Sequence, residues 1–181
     1  MKIAVSSDLH LDLNHADVVE IITQQAHYLT HQEIDHYFFV GDAFNDFEQT
    51  RVYFAELQSQ LPTTKVHYLA GNHDMLKGVI YEQLENLDDD LYFHNRFIDI
   101  PQTNWRIIGN NGWYDYSFST YESNIEEVAQ WKQAYWVDRP IVQPMNDPER
   151  MAIVLDQVEE NLKQARNQQK QVIFITHFAP I

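Results

Sequence analysis

Four short apolar runs, each breaking off in polar residues able to bind a metal, constrain this chain more than any other feature. Lys2 to Ser6 reads as a buried strand, and Asp8 and His10 follow it at once. His36 to Val40 reads as a second strand and ends in Gly41-Asp42. Lys65 to Ala70 reads as a third and ends in Gly71-Asn72-His73-Asp74. Gln171 to Thr176 reads as the last and runs into His177. Runs this short, rich in β-branched and aromatic side chains, suit strands buried on both faces.

Helical periods fill the gaps. Val18 or Val19, Ile22, Ala26 and Leu29 predict a helix over roughly 16–31, and Phe47, Phe54, Leu57 and Leu61 a second, stopped by Pro62. A short helix is expected from Leu76 to Leu87, and further strands over 91–100 and 105–109. Asp147 reads as the N-cap of a long helix with Pro148 at its first position. Met151, Val154, Leu155, Val158, Leu162 and Ala165 form its apolar stripe. Strands alternating with helices imply an α/β domain.

The 181 residues suit one domain. One stretch, about 113–140, interrupts the alternation. It holds three of the four Trp and four of the ten Tyr, and reads as an inserted cap containing a helix with Ile125, Val128, Ala129 and Tyr135. Trp131 and Tyr135, at helical spacing, are expected to pack in the core. Trp113 and Tyr114, which follow a strand, are candidates for substrate contact, as is Asn45 just past Asp42.

Charge and composition narrow the chemistry. Asp and Glu number 27 against 12 Lys and Arg, a net charge of -15. Such a surface repels phosphate backbones and anionic lipid, which disfavours nucleic acid and a membrane surface as partners. The absence of cysteine excludes disulfides, thiolate metal sites and cysteine nucleophiles. No apolar run approaches the ~20 residues of a spanning helix, and a cytoplasmic location is expected.

In an open α/β sheet, ligands bind beyond the carboxyl ends of the strands, so these polar clusters can converge. Asp8 and His10, two apart, would point the same way from an extended backbone. Asp42 has two oxygens and can bridge two ions. Asn72 offers a carbonyl oxygen and His177 a nitrogen. A mixed oxygen and nitrogen set without sulfur suits Mn, Fe, Zn, Ni or Co. Two such ions would bring enough positive charge to reverse the acidic field locally and clamp a phosphoryl group.

Asp8-Leu9-His10, Gly41-Asp42, Gly71-Asn72-His73-Asp74 and Thr176-His177, in this order and spacing, resemble the motifs of the calcineurin-like metallophosphoesterases. The resemblance covers almost the whole chain and implies a four-layer αββα sandwich of two mixed sheets. It implies two divalent ions, one on Asp8, His10 and Asp42, the other on Asp42, Asn72 and His177. It further implies hydrolysis of a phosphomonoester or phosphodiester by a metal-bridging hydroxide. His73 would serve as a catalytic residue rather than a ligand, stabilising the transition state or protonating the leaving oxygen, with Asp74 orienting it. The family pattern continues to a Gly-His-x-His motif, which does not occur in these 181 residues. Each ion is therefore expected to lack one protein ligand, with incomplete occupancy, and the sheet to lack its last strands. The alternative reading is a catalytically impaired module that binds metal or phosphate. A small phosphorylated substrate with a nucleotide-like ring is the expected partner, since aromatic side chains stack on rings.

The other histidines (His15, His27, His31, His36, His67 and His94) read as solvated or satisfied in the core, and Asp88-Asp89-Asp90 as a solvated turn.

Overall fold

The computed structural model describes residues 1–118 and 124–178. Strands β1 (Ile3–Ser6), β2 (His36–Val40) and β3 (Lys65–Leu69) form a parallel sheet in the order β1-β2-β3. Strands β4 (Arg96–Asp99), β5 (Trp105–Gly109) and β6 (Gln171–Ile175) form a second sheet, β4 antiparallel to β5 and β5 parallel to β6. The helices are α1 (Val18–His31), α2 (Phe47–Ser59), α3 (Tyr81–Glu85), α4 (Ile125–Tyr135) and α5 (Asp147–Asn167).

Alternation along β2 explains the layering. Tyr37 and Phe39 join the core that α1 and α2 cover with Ile22, Ala26, Leu29, Tyr53, Phe54 and Leu57. Phe38 and Val40 join Leu69, Phe93 and Ile107 in a second core between the two sheets, flanked by Ile3, Ile98 and Ile175. Successive side chains of a strand point to opposite faces, so an unbroken apolar run requires a layer on each side. Helix α5 packs against β6 on the far side. The result is a mixed α/β sandwich, as the family resemblance implies.

Boundaries move where a cap or a turn takes over. Asp17 caps α1 by accepting from the Val19 and Glu20 N–H groups, both at 3.1 Å, so the helix begins two residues later than expected. The expected helix over 76–87 is a 3₁₀ turn at Asp74–Leu76 and then α3, because Lys77 is extended and Gly78 sits at φ +82°. The expected strand over 91–100 pairs regularly only from Arg96 to Asp99, with one isolated bridge from Tyr68 to Tyr92. Asn146, not Asp147, caps α5, in a reciprocal pair with Glu149.

That one-residue shift frees the Asp147 carboxylate to tie down the aromatic segment. It accepts from Trp113 Nε1 at 2.8 Å, Lys132 Nζ at 2.7 Å, Gln143 Nε2 at 3.0 Å and the Tyr116 hydroxyl. Burial pushes this carboxyl up, but the bonds from Lys132 and Tyr116 outweigh it and leave the group below its ordinary value. The Arg150 guanidinium lies 3.5 Å from the centre of the Trp113 ring. Helix α4 has no buried residue, so the expected core packing of Trp131 and Tyr135 does not occur: they are 50% and 77% exposed. No helix among the described residues is long and apolar enough to cross a membrane.

Candidate metal centre

The polar clusters meet across the carboxyl ends of both sheets. Asp42 follows β2 and Asn72 follows β3 in one sheet, while His177 follows β6 in the other. Two glycines permit the approach. A Cβ on Gly41, whose φ is +88°, would come within 2.5 Å of His177 Nδ1 and 2.7 Å of the Gly71 nitrogen. A Cβ on Gly71 would collide with Asp42 Oδ1 and the His177 ring.

The loop after β1 departs from the sequence expectation. Asp8 and His10 are not on extended backbone; both are left-handed, at φ 59° and 43°, as is Asp42 at φ 66°. The loop is laced to its neighbour by Asp8 N–H to the Gly41 carbonyl and His10 N–H to the Asp42 carbonyl, both at 3.0 Å. These bonds, rather than strand alternation, bring the two side chains together. Left-handed non-glycine residues cost about 1–3 kcal/mol each and cluster at functional sites.

Asp42 stands between two groups of donors. Its Oδ2 lies 3.8 Å from His10 Nε2, which is also 3.8 Å from Asp8 Oδ1. Its Oδ1 lies 3.5 Å from His177 Nε2, which is 3.2 Å from Asn72 Oδ1. His177 Nδ1 donates to the Val40 carbonyl at 2.8 Å, so a neutral ring turns the lone pair of Nε2 toward Asp42 and Asn72. The Asn72 amide nitrogen is engaged elsewhere, with Asp138 at 2.7 Å. Three lone-pair-bearing atoms therefore face one another there, an arrangement that suits a cation. Metal-competent atoms of His10, Asp42 and His73 also lie within 4.8 Å of one another, so His73 sits inside the group. Among the described residues no Lys or Arg pairs with Asp8 or Asp42; their ion-pair neighbours are His10 and His177. The donor set fits hard or borderline divalent ions.

Asp74 does not orient His73. Its carboxylate is fully buried and accepts from the N–H groups of Asp42 (2.6 Å), Gly71 (2.8 Å), Ala43 (3.1 Å) and Phe44 (3.3 Å) and from Thr50 Oγ1 (2.6 Å). It stitches the Asp42 loop to the Asn72 loop. Burial pushes its pKa above the ordinary value against the pull of these bonds. The partner of His73 is Asn45, whose Oδ1 lies 2.7 Å from His73 Nδ1. An amide oxygen only accepts, so Nδ1 carries the proton and Nε2 is left for the site. The His73 ring also stands edge-on to His10 at 4.6 Å.

Trp113, expected to contact substrate, is 2% exposed and gives its N–H to Asp147. It packs against Tyr114 and Phe178 and offers no free ring face. Tyr114 gives its hydroxyl to Asp138 at 2.7 Å. No sequence signal marks Asp138, because a lone aspartate 66 residues from Asn72 belongs to no local pattern.

The family model of the calcineurin-like phosphoesterases matches residues 1–181. This chain belongs to that family. No curated protein and no solved structure matches it significantly. The calcineurin-like phosphoesterases are hydrolases of phosphate esters that bind divalent metals, and the clustered His and Asp side chains here are in keeping with that chemistry.

Proposed function

We propose that this chain hydrolyses a small phosphate monoester or diester at a two-ion centre in which Asp42 is the shared ligand. The observation that carries the reading is the division of Asp42, one oxygen toward His10 and the other toward His177, at 3.8 and 3.5 Å. Asp8, His10 and Asp42 would hold one ion, and Asp42, Asn72 and His177 the other. Divalent ions such as Mn, when bound there, would neutralise phosphoryl charge and lower the pKa of water.

The chain's own residues supply the rest. Asp74 holds the backbone of the Asp42 and Asn72 loops in register through four of its hydrogen bonds, and the fifth, from Thr50 Oγ1, ties it to α2. His73, fixed by Asn45 through Nδ1, presents Nε2 toward the reacting group, where a second proton on the ring would pass to the leaving oxygen. The Asn45 oxygen also stabilises the ring when both nitrogens are protonated. Trp131, Tyr135 and Trp136, between 44% and 77% exposed, offer ring faces on the aromatic segment, which supports a substrate bearing a base or another ring.

The second reading is binding of metal or phosphate without turnover. Hydrolysis of bis-p-nitrophenyl phosphate and p-nitrophenyl phosphate with added Mn separates the two. Turnover that requires Mn and falls roughly 10²–10⁴-fold in His73→Ala is the expected result. A folded sample inert with Mn, Fe, Zn, Ni and Co would leave only the binding module.

A further inference from the structure

Asp138 follows α4, is 2% exposed, and receives only neutral donors. Its Oδ1 accepts from Asn72 Nδ2 at 2.7 Å. Its Oδ2 accepts from the Tyr114 hydroxyl at 2.7 Å and from Trp136 Nε1 at 3.0 Å. Among the described residues it pairs with no Lys or Arg. A buried carboxylate held by neutral donors alone is costly, because no cation offsets its desolvation.

The two ends of an Asn side chain have nearly the same shape, so sterics alone do not decide which end faces the ligand. A carboxylate only accepts. Turning Asn72 over would set its oxygen against Asp138 Oδ1 and aim an N–H₂ group, which cannot ligate, at His177 and Asp42. We propose that Asp138 is a positioning residue that locks Asn72 with its carbonyl oxygen toward the metal centre, an inference that rests on the two-ion reading above. The lock also links the aromatic segment to the site. Tyr114 and Trp136, from opposite ends of that segment, seat the carboxylate, and the carboxylate sets the ligand. Its charge polarises the amide and makes the Asn72 oxygen a stronger donor to a cation.

The geometry gives a directional test. In Asp138→Asn the new oxygen must take the Oδ2 place, because the Trp136 N–H can only donate. The new N–H₂ then faces Asn72, which must turn its carbonyl away from the site to accept. In Asn72→Asp two carboxylates confront each other across the same 2.7 Å gap. The reciprocal pair Asn72→Asp with Asp138→Asn restores one donor and one acceptor, with a carboxylate oxygen toward the ions.

The readout is Mn(II) affinity, followed by the electron paramagnetic resonance of free Mn(II), with circular dichroism and thermal melting on each variant. Each single substitution should weaken Mn(II) binding roughly 10–100-fold. The reciprocal pair should regain most of that loss, which a purely structural role of Asp138 would not produce. Unchanged affinity in Asp138→Asn, or a reciprocal pair no better than Asn72→Asp, overturns the proposal. Asn72→Ala separates this failure from that of the underlying reading: if it too leaves Mn(II) binding unchanged, Asn72 is no ligand. Should Asp138→Asn not fold, Asp138→Ser removes the ionised acceptor with less disruption. A several-fold loss of affinity there supports the lock, and no loss refutes it.

Discussion

Replacing Asp74 by Asn separates a residue that holds the site's loops together from one that tunes the catalytic histidine. Asp74 Oδ2 accepts from two backbone N–H groups, those of Asp42 at 2.6 Å and Gly71 at 2.8 Å. Its Oδ1 accepts from two more, of Ala43 at 3.1 Å and Phe44 at 3.3 Å, and from Thr50 Oγ1 at 2.6 Å. An amide has one accepting oxygen. Whichever way the substituted side chain turns, two buried backbone donors face an N–H₂ group instead of an acceptor. A stranded buried donor costs about 1–3 kcal/mol, so the substitution should cost roughly 4 kcal/mol in all. At about 2–4 °C per kcal/mol for a chain of this size, Tm should fall by roughly 8–16 °C. Urea melts with an unchanged m-value would give the free energy directly. The loops carrying Asp42 and Asn72 would loosen together, so Mn(II) affinity should fall as well. A loss below about 1 kcal/mol, joined to a shifted pH–rate profile, would refute this account and return Asp74 to the role of orienting His73.

Two further predictions follow from neighbouring geometry. Asn45→Leu removes the acceptor of His73 Nδ1 and should lower kcat roughly 10–100-fold with Mn(II) affinity unchanged; an equal fall in affinity would place Asn45 among the metal-holding residues. His67 lies between Phe38 and Phe93, bonded to His36 at 3.0 Å, and burial, with lesser repulsion from His36 and Lys65, pushes its pKa from 6.5 to about 3. The unfolded chain takes up a proton below pH 6.5 that the folded ring refuses, so stability is lost as pH falls from 6.5 toward 3. The slope is about 1.4 kcal/mol per pH unit. His67→Phe should flatten it, and parallel acid melts of wild type and variant between pH 6.5 and 4 would contradict the assignment.

The sequence by itself determined the layers around β2 and β3 and the order of the site, while β1, expected to be buried, keeps Val5 57% exposed. Unbroken apolar runs such as His36 to Val40 need cover on both faces, and the switch to polar residues marks each strand's carboxyl end. Order along the chain and the rule that ligands gather at strand ends were enough to bring Asp42, Asn72 and His177 together. What a side chain does once it arrives depends on which donors surround it, and those come from distant segments. Asp74 adjoins His73 in sequence, yet backbone N–H groups from the Asp42 loop surround it. Asn45, 28 residues away, is the residue that reaches His73. Asp8 and His10 lie side by side because left-handed backbone and bonds to the next loop put them there, which no alternation rule contains. The helical period of α4 resembles that of a core helix, but burial is a property of what packs alongside, and among the described residues α4 buries none of its own. Asp138 was beyond reach for the same reason: only the folded aromatic segment carries its carboxylate to the Asn72 amide, and hydrogen bonding acts over distance in space, not separation in sequence.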